Sequence, residues 1–439
     1  MSPNADVAVF DEHESAARGY CRRFNVLFSQ ARGSRMLAAN GSSYIDFLAG
    51  CGALNYGHND PDMSAALVAH IQRDGLAMGL DLHTDAKRQF LTLFSSRILA
   101  ARGLDYRVQF TGPTGANAVE AAMKLARKVT GRQNIIAFTN GYHGVSMGAL
   151  AATGNQYNRM GLPLPGITRM PYDKYFGVNV ETADYLERML EDPSSGVDPP
   201  AAILLEIVQG EGGLNAARPS WVRRVAELAQ RCGALLIVDD VQAGCGRTGT
   251  FFSFEGMALE PDLVVLSKSI SGYGLPMSLL LVRPDRDQWR PAEHNGTFRG
   301  NTHAFVTAAV AVDKYWSNDW LARQVERNAS TVGAALRDMA ALVPGAYRKG
   351  RGMMQGLHVG TGELADAICR LCFERGLIIE TSGPRDEVVK VLAAINTPTD
   401  VLEQGLAILR RAVVDAVRLN PGLLAPAVVA LDKEQRVAA

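Results

Sequence analysis

The sequence predicts an α/β fold, with a large domain built on a largely parallel β-sheet and a smaller α+β domain beside it. Three observations lead there. Short apolar runs alternate with amphipathic helical stretches through the middle of the chain. Those runs are apolar along almost their whole length, as strands covered on both faces must be. The chain has 439 residues, enough for two or three domains and a sizeable core.

The elements follow in order. "SRMLAANGSSYIDFLAG" (34–50) reads as a hairpin turning at "NGSS". Strands are expected at 106–110 (YRVQF), 134–138 (NIIAF), 201–208 (AAILLEIV), 234–240 (ALLIVDD), 262–267 (DLVVLS) and 278–282 (SLLLV). Helices fall between them at 116–131 and 220–233. In the first, Val119, Ala122, Met123, Ala126 and Val129 form one apolar stripe, and Gly131 ends it. Beyond about 330 the chain returns to helices and short strands, including "KGRGMMQGLHV" and "GLIIETSG". This divides the protein into an N-terminal segment (1–70) contributing to the small domain, a large domain (71–329), and the C-terminal part of the small domain (330–439).

Lys+Arg and Asp+Glu both number 45, so formal net charge is zero. That balance provides no attraction for nucleic acid or an anionic membrane. No run approaches the ~20 apolar residues of a membrane span. The N-terminus carries charges where a signal peptide needs an apolar stretch, so the expectation is a soluble cytoplasmic protein. Of six scattered cysteines, only Cys369 and Cys372 ("CRLC") have metal-like spacing. They lack a second pair and lie on a helical stretch, so they read as core residues, with no metal expected.

Candidate chemistry gathers where strands end, the edge at which parallel α/β sheets bind ligands. "DLVVLSKSISGYGLP" (262–276) closes an apolar strand with Lys268, alone either a solvated residue or a reactive amine. The preceding strand ends in Asp239 and Asp240, which either cap it or hold a heterocyclic nitrogen protonated. In "VQFTGPTGANAVEAAMKLA", Thr114, Gly115 and Ala116 open a helix, either as a plain N-cap or as a phosphate seat. "FTNGYHGVSMG" places Tyr142 and His143 after another strand, where Tyr142 could stack on a flat ring. Together these supply an amine, an acid, a phosphate seat and a stacking face, the four things pyridoxal phosphate needs.

"LLIVDDVQAGCGRTGTFFSFE" followed by "EPDLVVLSKSISGYGLP" resembles the signature of class III (ornithine/GABA-type) aminotransferases, and "LLEIVQGEGG", "FTNGYHG" and "HNGTFRGN" fit it too. The resemblance runs from about residue 20 to 410. It implies fold type I, with a mainly parallel seven-stranded sheet, and pyridoxal 5'-phosphate as cofactor. Lys268 would then bond the cofactor aldehyde and carry the proton, with Asp239 at the pyridine nitrogen. Gln242 would meet the phenolic oxygen, Tyr142 would stack, and His143 would shape the pocket. Gly115 and Ala116, with Thr114, would hold the phosphate. Thr297 would reach it from the neighbouring subunit of a homodimer with shared active sites; whether dimers pair into tetramers stays open. Asp240 replaces the glutamate usual after the first aspartate.

Several stretches, among them "GPTGAN", "MPYDKYFG" and "EHNGTFRGN", are similar to one branch, the diaminobutyrate–2-oxoglutarate aminotransferases of ectoine and siderophore biosynthesis. That implies amine transfer between L-glutamate and L-aspartate 4-semialdehyde, giving L-2,4-diaminobutyrate and 2-oxoglutarate. Glu211 and Lys390 would form the substrate-switching pair, Lys390 standing where ornithine- and GABA-type relatives have an arginine. Ala393 and Ala394 replace two prolines usual in the branch and are expected to free the backbone at the site mouth. Two alternatives remain: transfer to another diamino acid or amino aldehyde, or an aminomutase or racemase needing no second substrate.

Overall fold

The structure, a computed structural model, describes residues 7–161 and 164–424. Its centre is a seven-stranded sheet in the order Arg107–Phe110, Leu279–Val282, Leu263–Leu266, Leu235–Asp239, Pro200–Leu205, Asn134–Phe138, Ile167–Met170. All pairs are parallel except those of Leu279–Val282, which runs antiparallel to both neighbours. The continuous apolar runs have the cause inferred from sequence. Alternate residues divide between two cores: Ile136, Ile203, Leu236, Val238 and Val264 enter one, while Ile135, Leu204, Leu235, Ile237 and Val265 enter the other. Helix Pro219–Cys232 seals the first face with Trp221, Val222 and Val225, and helix Gly115–Thr130 seals the second with Ala118, Ala122 and Leu125. Both helices stop at left-handed glycines, Gly233 and Gly131.

Three expectations about the sheet need correction. Ile167–Met170 is a strand that the sequence reading lacks; four residues with a threonine and an arginine carry too little apolar signal. The 201–208 run is not one strand. It stops at Leu205, and Val208–Gln209 starts a separate two-stranded ribbon, because buried Glu206 interrupts it. Lys268 also lies beyond its strand, which ends at Leu266.

The hairpin is present: Arg35–Ala38 pairs with Ser43–Asp46, and Leu377–Ile378 adds to the latter in parallel. A four-stranded antiparallel sheet joins Tyr347–Arg351, Met354–His358, Val388–Val391 and Glu380–Ser382. Cys369 and Cys372 lie buried on helix Gly362–Glu374 within this region's core.

Distant parts of the chain meet at the fully buried Arg247. It donates to Asn55 Oδ1 (3.0 Å from Nε), to the Met353 carbonyl (3.2 Å) and to the Ala393 carbonyl. Burial lowers its pKa to about 9. The same contacts overturn the expectation of a loose backbone at Ala393 and Ala394. Both residues are buried, Arg247 holds the first carbonyl, and Thr397 Oγ1 donates to the second at 2.6 Å. Hydrogen bonding fixes what proline rings would otherwise fix.

Candidate active site

Asp239 is the last residue of its strand and stands beside Val265 in register, so the exits of these parallel strands share one edge. The next strand leaves into a short 3₁₀ turn, Lys268–Ser271. Lys268 itself has φ +52°. A left-handed non-glycine residue costs about 1–3 kcal/mol, so the surrounding structure must impose it. The turn is pinned by Ser269 Oγ, which donates to the Gly52 carbonyl at 2.7 Å and accepts from the Asn55 N–H at 3.0 Å.

Two cavities meet at this lysine, and Tyr142, Glu211 and Lys268 line both. The smaller, about 360 Å³, is walled by Thr114, Gly115, Ala116, His143, Asp239 and Gln242. The larger, about 690 Å³, opens past Tyr20, Cys51 and Gly383. Thus the structure brings together the predicted Lys268, Asp239, Tyr142, His143, Gln242, Thr114, Gly115 and Ala116.

Around the smaller cavity, His143 Nδ1 lies 2.7 Å from Asp239 Oδ2, and the Val241 N–H donates to Asp239 Oδ1. Burial alone favours a neutral imidazole, but the bond to Asp239, with its charge and that of Glu206, raises the His143 pKa. Glu206, which sequence reasoning missed, accepts from the N–H groups of Tyr142 and Gly210. Burial pushes its pKa up to about 7, opposed by His143 and reinforced by Asp239.

At the cavity's other end, helix Gly115–Thr130 begins with N–H groups that have no partner within the helix. A Cβ on Gly115 would come within 3.1 Å of Val241, so glycine permits the close approach there. Thr114 is committed elsewhere: its hydroxyl donates to Asn117 Oδ1 and closes a capping box. Gln242 donates to Glu211 and to the Cys51 carbonyl, which leaves its buried Oε1 without a partner at the cavity wall.

The larger cavity has a second charged cluster behind its wall. Lys390 is fully buried and does not line the cavity; its Nζ lies 2.9 Å from Glu211 Oε1 and 2.7 Å from Glu380 Oε1. Burial disfavours ionised Glu211, but Lys390 and Lys268 outweigh it and bring the pKa down to about 2. The ammonium of Lys390 is burdened by burial yet held charged by the two acids, so its pKa is raised. Cys51 stands 3.7 Å from Glu380 and 2.6 Å from the Tyr20 hydroxyl. Glu380, Cys51 and Tyr20 were not identified from sequence. Glu206 and Glu380 nonetheless bear the mark that betrayed Lys268, a single charge closing an apolar run. Thr297 is exposed and lines neither cavity of its own chain.

The donor set fits pyridoxal phosphate. The orphaned Gln242 oxygen can accept from a phenolic hydroxyl, the unsatisfied helix N–H groups suit a phosphate, and Asp239 suits a protonated ring nitrogen.

Comparison with known proteins agrees. The family description "Aminotransferase class-III" matches residues 16–413. A diaminobutyrate–2-oxoglutarate transaminase of Vibrio cholerae is 54% identical over 93% of this chain and 100% of that protein. An uncharacterized aminotransferase of Sinorhizobium fredii is 51% identical over 95% of this chain and 94% of its own length. The ornithine aminotransferase of Toxoplasma gondii superposes with a TM-score of 0.83 at 26% identity, covering 95% of this chain and 96% of that one.

Proposed function

Because this chain belongs to the class III aminotransferases, we propose that it moves an amino group between L-glutamate and L-aspartate 4-semialdehyde, giving L-2,4-diaminobutyrate and 2-oxoglutarate. Its cofactor is pyridoxal phosphate, which supplies an aldehyde for the amine and a ring that draws electrons from the reacting carbon. The observation that carries the substrate reading is the placement of Glu211 between Lys390 and the cavity at Lys268.

Lys268 Nζ would hold the cofactor through its aldehyde. Its amine would also be the group that holds and moves the proton beside the reacting carbon. Asp239 would keep the ring nitrogen protonated, and His143 orients that carboxylate. The N–H groups of Gly115 and Ala116 would hold the phosphate, and Tyr142 would cover the ring.

Glu211 and Lys390 accommodate two unlike substrates. The C4 of diaminobutyrate bears only an amine, so Glu211 stays on Lys390. Glutamate brings a carboxylate to the reacting carbon, and this replaces Glu211 on the ammonium. A lysine holds it as a point charge, without the fork of an arginine.

The active form is a homodimer in which Thr297 reaches the partner's phosphate. Exposed Leu76, Met78, Leu80, Leu82, Val145, Met147 and Phe298 support an apolar contact between copies, and Val145 also lines the smaller cavity.

The test is an amino-donor and acceptor panel with product identification. Diaminobutyrate with 2-oxoglutarate should yield glutamate. Turnover of another amine but not diaminobutyrate overturns the substrate, and turnover without any acceptor overturns transamination.

A further inference from the structure

The two acids on Lys390 are not equivalent. Glu380 stands directly opposite Lys390 on the neighbouring antiparallel strand, so sheet register places both side chains on one face. Its side chain is 6% exposed. Glu211 instead lies in the turn "GEGG", with glycine on both sides, and its side chain is 33% exposed and lines both cavities. Glu211 can therefore leave the ammonium toward the cavity, whereas Glu380 cannot. Two carboxylates around one ammonium carry, when both are ionised, one negative charge in excess, where a simple pair would be neutral; burial raises the Glu380 pKa, Lys390 opposes this and Glu211 reinforces it.

We propose that Glu380 is a positioning residue that acts through Lys390 to set substrate preference. It anchors the ammonium when Glu211 departs, and its unbalanced charge tilts the site toward substrates whose reacting carbon bears an amine and no carboxylate. The proposal rests on the substrate-switching reading above. An incoming glutamate carboxylate adds a third negative charge beside Lys390, with Glu211 still nearby. A terminal ammonium approaching the same cluster is attracted. Glu380 itself touches no substrate; it faces Lys390 and, at 3.7 Å, the thiol of Cys51.

The experiment compares the wild-type holoenzyme with Glu380→Gln, which keeps an acceptor for Lys390 and removes the charge, and with Glu380→Asp, which keeps the charge. Single-turnover rates with glutamate and with diaminobutyrate are followed through the cofactor absorbance. Binding of glutarate, a dicarboxylate with no amine to transfer, is measured by calorimetry. In Glu380→Gln the glutamate-to-diaminobutyrate ratio of kcat/KM should rise about tenfold, and glutarate should bind more tightly by a similar factor. Glu380→Asp should stay near wild type in both readouts. An unchanged or lowered ratio, or weaker glutarate binding in Glu380→Gln, overturns the proposal, since a merely structural residue would weaken everything together. Should diaminobutyrate fail with the wild-type enzyme, the substrate reading falls by itself and glutarate binding still decides the role of Glu380.

Discussion

Two buried ionic clusters flank Lys268, and each consists of two carboxylates around one nitrogen base. On the cofactor side, Asp239 and Glu206 surround His143; on the substrate side, Glu211 and Glu380 surround Lys390. The first base is an imidazole, which burial disfavours as a cation but whose pKa its two acids raise. The second is an ammonium that burial and its partners keep charged. The difference matches the tasks. In the proposed cycle Asp239 keeps one lasting orientation toward a resident group, whereas Lys390 exchanges one carboxylate for another. Strand ends and backbone N–H bonds fix the first cluster, and a glycine-flanked turn carries Glu211 of the second.

The largest expected effect comes from removing the group both clusters serve. Lys268→Ala should keep the fold but lose the borohydride-reducible link to the cofactor and at least about 10³-fold in turnover. Mass spectrometry after reduction checks it; a retained link at another residue would displace Lys268 from its role.

Asp239→Asn comes next, with a fall of about 10²- to 10³-fold in turnover and weaker cofactor retention. It also acts on His143. A raised histidine pKa stabilises the fold fully below the unfolded value of about 6.5, and this contribution is lost as pH rises through the folded value. Asp239→Asn should erase that part of the stability profile, read by denaturant titration across pH.

On the substrate side, Glu211→Gln should cut the diaminobutyrate half-reaction about tenfold while glutamate suffers less, because Lys390 then keeps only Glu380 and has no carboxylate to be displaced. Equal losses with both substrates would mean that Glu211 does not switch.

The smallest effect lies just outside both clusters, at Asp240. Burial pushes its pKa to about 7, and its Oδ1 has no partner. An acid whose pKa is raised on folding destabilises the protein as pH climbs from the unfolded value near 3.9 toward the folded one. Asp240→Asn should therefore stabilise by about 1–2 kcal/mol at pH 8 and by less at pH 4, measured by denaturant unfolding.

Much of this architecture was legible because a parallel sheet writes itself as apolar runs, and a charge that ends such a run stands out. Asp239 and Lys268 were found that way, and the helix start at Gly115 by the glycine-rich turn that follows a strand. Glu206 and Glu380 carried the same mark but were read as parts of strands, and only the fold reveals which nitrogen each acid meets. Thr114 was read as either a plain N-cap or part of a phosphate seat, and its hydroxyl serves the cap, a choice made by Asn117 three residues on. Ile167–Met170 escaped because its membership depends on pairing with Asn134–Phe138 rather than on its own composition.

Arg247 carries a consequence for biosynthesis. Its hydrogen-bonding partners lie nearly 150 residues away in one direction and nearly 200 in the other, at Ala393 and Asn55. A ribosome that has made only the central sheet has produced this guanidinium and Asn55 but not the Met353 and Ala393 carbonyls that complete its hydrogen bonding. The catalytic turn is tied to Gly52 and Asn55, so it too awaits docking of the chain's opening section. A nascent chain should therefore mature late, gaining a competent site only once its closing strands emerge.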